Sequence, residues 1–119
     1  MANRVKSILI VEDEVLVGLD LTMQLEEEGY EIIGPATTLS AAADMLRGQT
    51  PDFAILDANL NGECPNAIAS DLQERGIPFV YVSGYGPDYI AQHLPIAPLL
   101  QKPVRIPLLL SQIETALAQ

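Results

Sequence analysis

Five polar residues of this chain stand directly behind short apolar runs: Glu12, Asp13, Asp57, Ser83 and Lys102. Three carboxylates brought close together repel one another and do not all ionise comfortably alone. A hard divalent cation resolves that repulsion, and Mg²⁺ takes a few oxygen ligands while keeping several waters. Asp13 and Asp57 are the expected direct ligands, and Glu12 acts directly or through a water. The backbone carbonyl of Asn59 completes the protein's share of an octahedron. Aspartate can also attack phosphorus to give an acyl phosphate. Such a transfer needs positioning and charge neutralisation more than further covalent chemistry. Lys102 then offers a fixed ammonium to one phosphoryl oxygen, and Ser83 a hydroxyl to another. Gly84 places no side chain beside them and leaves backbone N–H access.

Taken singly, each residue has an ordinary alternative. An acid behind a strand is commonly a helix N-cap, which covers Asp13. Asp57 alone reads as a turn residue, Ser83 as a turn hydroxyl and Lys102 as a surface cation. The joint pattern favours a site, because the five residues follow strands one, three, four and five.

Those strands come from the apolar runs. Ser7-Ile8-Leu9-Ile10-Val11 is continuous and rich in branched residues, as in a strand covered on both faces. Val15, Leu16, Leu19 and Met23 then recur at helical spacing, with Gly29 as the expected C-cap. Glu31 to Gly34 reads as a second strand; Leu39, Ala42, Ala43 and Leu46 mark a second helix, ended near Gly48. Phe53 to Leu56 is a third strand closing on Asp57, followed by a loop with Asn59, Asn61 and Gly62. A helix from about Pro65 to Arg75 places Pro at a favourable first position. Phe79 to Val82 is the fourth strand, and the Pro- and Gly-rich stretch 84–98 leaves room only for a short fourth helix around Asp88 to His93. Leu99-Leu100 lies in a short fifth strand, and the last helix carries Ile106, Leu109, Leu110, Ile113 and Leu117 on one face. Five strand-then-helix repeats imply an α/β, doubly wound, five-stranded parallel sheet. In such sheets ligands bind at the carboxyl ends of the strands, which gathers the five polar residues at one edge.

With 119 residues the chain is expected to form a single domain over 1–119. Its composition, 49% apolar and 18% charged, is that of an ordinary soluble globular protein. No apolar run is long enough to span a membrane. The N-terminus lacks the features of a secretory signal, so a cytoplasmic location is expected. Cys64 is the sole cysteine, which excludes an internal disulfide and a cysteine-rich metal site. A net charge of -10 repels phosphate backbones, so nucleic acid is not an expected partner. The run Glu26-Glu27-Glu28 sits unfavourably at a helix C-terminal end and reads as solvated.

Over essentially its whole length the sequence resembles the receiver domain of bacterial response regulators. The segments that carry the likeness are Ile8 to Glu14, Leu56-Asp57-Ala58-Asn59-Leu60-Asn61-Gly62, Val82-Ser83-Gly84 and Lys102-Pro103. The resemblance implies a flavodoxin-like (βα)5 fold and Mg²⁺-dependent transfer to Asp57 from a phosphohistidine of a sensor kinase or phosphotransfer protein. It further implies slow hydrolysis, a conformational shift read by a downstream protein, and a cis peptide before Pro103 as a candidate. Two departures bear on switching. Many receivers carry Tyr or Phe three positions before the lysine; here that position is Leu99. The stretch Pro78 to Gly86 resembles the alphaproteobacterial subfamily with the Phe-Ala-Thr-Gly-x-Tyr motif, Ser83 replacing Thr. Tyr85 is therefore either the switch or a turn aromatic partly covering apolar surface.

Two other functions compete. One is a phosphorylation-independent binding module, although degenerate receivers usually lose an acid or the lysine and this chain keeps both. The other is an aspartyl-phosphate phosphatase, which typically carries its nucleophile after the first strand with a second aspartate two positions on; here the nucleophile follows the third strand and position 59 is Asn. The expectation is a non-enzymatic stand-alone regulator, relay intermediate or phosphate sink. His93, Cys64, Arg75 and Arg105 read as bland, and Leu94, Ile96 and Leu99 as apolar surface for a partner or homodimer.

Overall fold

The computed structural model describes residues 4–84 and 94–118. Five strands, β1 (Ser7–Val11), β2 (Glu31–Ala36), β3 (Phe53–Asp57), β4 (Phe79–Ser83) and β5 (Leu99–Gln101), form one sheet in the order β2-β1-β3-β4-β5. Every neighbouring pair is parallel. Four helices are described: α1 (Val15–Glu27), α2 (Leu39–Gly48), α3 (Asn66–Glu74) and α4 (Ile106–Leu117). The short helix expected around Asp88 to His93 lies outside the described residues, as does Tyr85.

Side chains of a strand alternate between faces, and that alternation splits the core in two. Leu9, Val11, Ala54, Leu56 and Tyr81 pack with Ala42 and Leu46 of α2 and Ile68 and Leu72 of α3. Ile8, Ile10, Ile55, Val80 and Val82 pack with Leu21 and Leu25 of α1 and Leu109 and Ile113 of α4. Both faces of β1, β3 and β4 are thus covered, which is why those runs are apolar without interruption.

The expected boundaries shift in places. β2 extends to Ala36, and Pro65 sits at the cap of α3 rather than inside it. β2 tolerates Pro35 because it is an edge strand, and the ladder with β1 skips there, from Leu9↔Ile33 to Val11↔Ala36. Gly34 has φ +98, and a Cβ there would lie 2.9 Å from the Ile10 carbonyl oxygen, so no other residue fits without movement. The skipped ladder resumes with the Glu12 amide donating to the Ala36 carbonyl at 2.9 Å, which fixes the first residue of the site. Gly34–Pro35 and Lys102–Pro103 are cis, the second as the resemblance implied.

α1 differs from expectation in its orientation. The stripe that betrays the helix, Val15, Leu16, Leu19 and Met23, is its outer face, while Gly18, Leu21 and Leu25 are buried. Leu94 is buried as well, not surface as expected, whereas Ile96 is almost fully exposed. Arg75 is not merely solvated: it pairs with Asp71 and donates to the Leu46 carbonyl at 2.9 Å, tying α3 to α2. No helix among the described residues is long and apolar enough to cross a membrane.

Candidate functional site at the carboxyl edge of the sheet

The chain runs outward from β1 to β2, then returns across β1 to place β3 on its other side. This reversal opens a crevice beyond the carboxyl ends of β1 and β3. Val11 and Leu56 are register partners, so the next residues, Glu12 and Asp57, leave the sheet side by side. Asp57↔Val82 and Ser83↔Gln101 continue the register across β4 and β5, and the Lys102 amide donates to the Ser83 carbonyl at 2.8 Å. Sheet geometry alone thus assembles residues far apart in the sequence.

Glu12, Asp57 and Ser83 are the buried polar or charged residues of the described chain. One carboxylate oxygen from each of Glu12, Asp13 and Asp57 lies within 4.8 Å of the others. Lys102 Nζ stands 3.2 Å from Asp57 Oδ2, 3.1 Å from Glu12 Oε1 and 3.0 Å from Glu14 Oε1. Backbone amides hold the acids in place: Asn59 donates to Asp57 Oδ1 at 3.0 Å, Asn61 to Asp13 Oδ2 at 3.1 Å, and Glu14 to Glu12 Oε2 at 3.0 Å. Asn61 reaches Asp13 from a left-handed conformation, φ 50, which asparagine tolerates better than most residues.

Burial and mutual repulsion distort the ionisation of these acids. Desolvation, reinforced by Asp57, pushes the Glu12 carboxyl up to about 7. Desolvation also raises Asp57, against the pull of the Asn59 amide. For Asp13, which is more open, burial is outweighed by hydrogen bonding with Asp57, Glu12 and the Asn61 amide, and its carboxyl is lowered. The ammonium of Lys102 is raised, because its bonds to Glu14 and Glu12 outweigh its partial burial. Both buried acids are therefore harder to ionise than a free carboxyl. An all-oxygen donor set, three carboxylates within one ion's reach and a shortage of positive charge together suit a hard divalent cation such as Mg²⁺.

The remaining expected residues fall around this centre. Gly84 follows Ser83, and a Cβ there would meet nothing within 4 Å among the described residues. Leu99 begins β5, partly buried, and pairs in register with Tyr81. Tyr81, which sequence reasoning passed over, is fully buried, meets Phe79 edge-on at 5.5 Å and donates to the Pro95 carbonyl at 2.5 Å. An aromatic therefore does stand beside Leu99, one strand away. Glu14 was also missed as a partner of Lys102. It adjoins the Glu12-Asp13 pair in sequence, but nothing local shows that its side chain reaches a residue 88 positions away.

Residues 8–114 match the response regulator receiver domain family. The transcriptional regulatory protein PdtaR of Mycobacterium tuberculosis is 30% identical over 118 residues; the match covers 96% of this chain and 58% of PdtaR. The chain thus spans a little over half the length of that relative. SdrG from Sphingomonas melonis superposes with a TM-score of 0.82 at 32% identity, covering 98% of this chain and 99% of SdrG. A response regulator receiver protein from Sinorhizobium medicae gives a TM-score of 0.85 at 23% identity, over 97% of this chain and 96% of that one, a likeness of fold alone. The chain belongs to the response regulator receiver domain family.

Proposed function

We propose that the chain accepts a phosphoryl group on Asp57 from a phosphohistidine of a sensor kinase or histidine phosphotransfer protein. The observation that carries this reading is a buried aspartate, 4% exposed and the only one buried among the described residues, at the strand-order reversal, with Lys102 Nζ 3.2 Å away and two more acids beside it. An Asp57 carboxylate oxygen attacks phosphorus and a P–O bond forms. The P–N bond to the donor imidazole breaks, and its electron pair returns to the ring nitrogen. Lys102 meets one phosphoryl oxygen with its ammonium, and Ser83 meets another with its hydroxyl. The Asn59 amide orients the attacking carboxylate.

Asp13, Asp57, Glu12 directly or through a water, and the Asn59 carbonyl would hold Mg²⁺. When bound, the ion neutralises part of the charge that the acids and the phosphoryl group bring together. The exposed apolar residues Leu16, Leu19 and Met23 on α1, next to Glu14 at the rim, provide a surface for the protein donor. The phosphorylated form is read by a downstream protein, without the chain itself acting as an enzyme on a released substrate. Within the family, the resemblance of Pro78 to Gly86 to the Phe-Ala-Thr-Gly-x-Tyr receivers and the lack of an aromatic at position 99 support assigning the chain to that subfamily, with Tyr85 as the candidate switch.

The test uses phosphoramidate, whose P–N bond imitates that of phosphohistidine, with intact-mass detection in Mg²⁺ and in chelator. One acid-stable, base-labile adduct that requires Mg²⁺ is expected. A folded protein that binds Mg²⁺ yet takes no phosphoryl group from phosphoramidate or a phosphohistidine protein would instead be a module acting through contacts alone.

A further inference from the structure

An ammonium has three N–H donors, and Lys102 contacts three carboxylates: Glu12, Asp57 and Glu14, all at 3.0 to 3.2 Å. The three contacts are not equivalent. Glu12 and Asp57 are buried, whereas the Glu14 side chain is 62% exposed. Glu14 is also the N-cap residue of α1, yet its side chain makes no capping hydrogen bond. Side-chain caps at that position are usually made by the shorter Ser, Thr, Asp and Asn. The longer Glu14 side chain reaches Lys102 instead, and both residues line a groove of about 590 Å³ with Leu16, Val17, Pro103 and Val104.

We propose that Glu14 is a positioning residue for Lys102: it occupies the third N–H while Asp57 is unmodified and surrenders it to a phosphoryl oxygen, so that it acts as a brake on capture. The inference rests on the phosphoryl-accepting reading of Asp57. An ammonium with every donor engaged takes a new oxygen only by releasing an old one. Glu12 is buried, so water does not freely replace a contact that it loses. The Asp57 contact follows that carboxylate into the phosphorylated state. Glu14 can be rehydrated at once, so its contact is the one given up. Exposed ion pairs are weak, which makes the brake light and releasable rather than a lock.

The test compares the wild-type chain with Glu14→Gln and Glu14→Asp under phosphoramidate and Mg²⁺. Aspartate keeps the negative charge but is one methylene too short to hold the ammonium. Both variants are expected to capture the phosphoryl group about two- to fivefold faster than wild type, as loss of one exposed ion pair implies. An Asp variant that behaves as wild type while Gln is faster would assign the effect to bulk charge and overturn the proposal. So would unchanged or slower capture in both. A second readout needs no phosphoryl group: the Lys102 ammonium protons, followed by NMR, are expected to exchange with water faster in Glu14→Gln, and unchanged exchange overturns the contact. A wild-type chain that takes no phosphoryl group overturns the receiver reading and the brake together, whereas a normal wild-type adduct with unaltered variants overturns the brake alone.

Discussion

Strand β3 is bracketed by two aspartates with opposite fates. Asp52, just before it, accepts two bonds from Arg4, at 2.7 and 3.0 Å, and others from the Ser7 amide and hydroxyl. These partners, Arg4 first, hold its carboxyl down at about 2. Asp57, at the other end, is pushed up by burial and shares its surroundings with Glu12, Asp13 and one lysine. At the amino edge of the sheet the acid has its charge paired and both oxygens hydrogen-bonded. At the carboxyl edge, three acids gather around one lysine, in excess over positive charge. One end of β3 pairs its acid with positive charge, and the other gathers acids in excess of it.

The largest effect expected from this contrast is at Asp57 itself. Asp57→Asn keeps the shape and removes the nucleophile, so phosphoryl incorporation falls to background by intact mass. Lys102→Ala comes next, with capture slowed about a hundredfold, the usual cost of one missing donor at developing charge. Lys102→Arg is not expected to restore it, because the planar guanidinium cannot occupy the position of a compact ammonium; stopped time courses with phosphoramidate check both.

The amino edge responds in stability alone. Asp52→Asn is expected to cost about 1 kcal/mol at pH 7 in chemical denaturation, less than the full linkage because Arg4 is mostly exposed. A depressed carboxyl stabilises above its unfolded value of 3.8 and loses that contribution as pH falls towards 2, so wild type and variant converge there. The smallest effect has the opposite sign. Glu12 is raised from 4.5 to about 7, so its share of stability is present below pH 4.5 and lost as pH rises through 7. In chelator, Glu12→Gln should flatten that part of the stability profile and change stability at pH 7 by no more than about 1 kcal/mol.

Much of this contrast was legible in the sequence, and its limits are instructive. Continuous apolar runs announce strands buried on both faces, and the rule that ligands meet the carboxyl ends of parallel strands then places Glu12, Asp13, Asp57, Ser83 and Lys102 together. That inference needs only the order of elements. What the sequence conceals are choices between surfaces and between partners. The apolar stripe of α1 marks a helix, but Leu16 at 81% exposed faces outward while Gly18 is buried, since a glycine gives no hydropathy signal for the face it occupies. Arg75 reads as solvated until the Leu46 carbonyl is found within its reach. Glu14 and Lys102, and equally Arg4 and Asp52, meet only through the register of the whole sheet. Asp52 shows no local mark to distinguish it from any other acid before a strand.

The most direct test of the central claim places the two aspartates of β3 side by side. Wild type, Asp52→Asn and Asp57→Asn are incubated with phosphoramidate and Mg²⁺ at pH 7, under conditions where all three are folded by circular dichroism, and weighed intact. The account predicts a single adduct of equal extent in wild type and Asp52→Asn and none in Asp57→Asn. An adduct that survives in Asp57→Asn, or vanishes in folded Asp52→Asn, would contradict it.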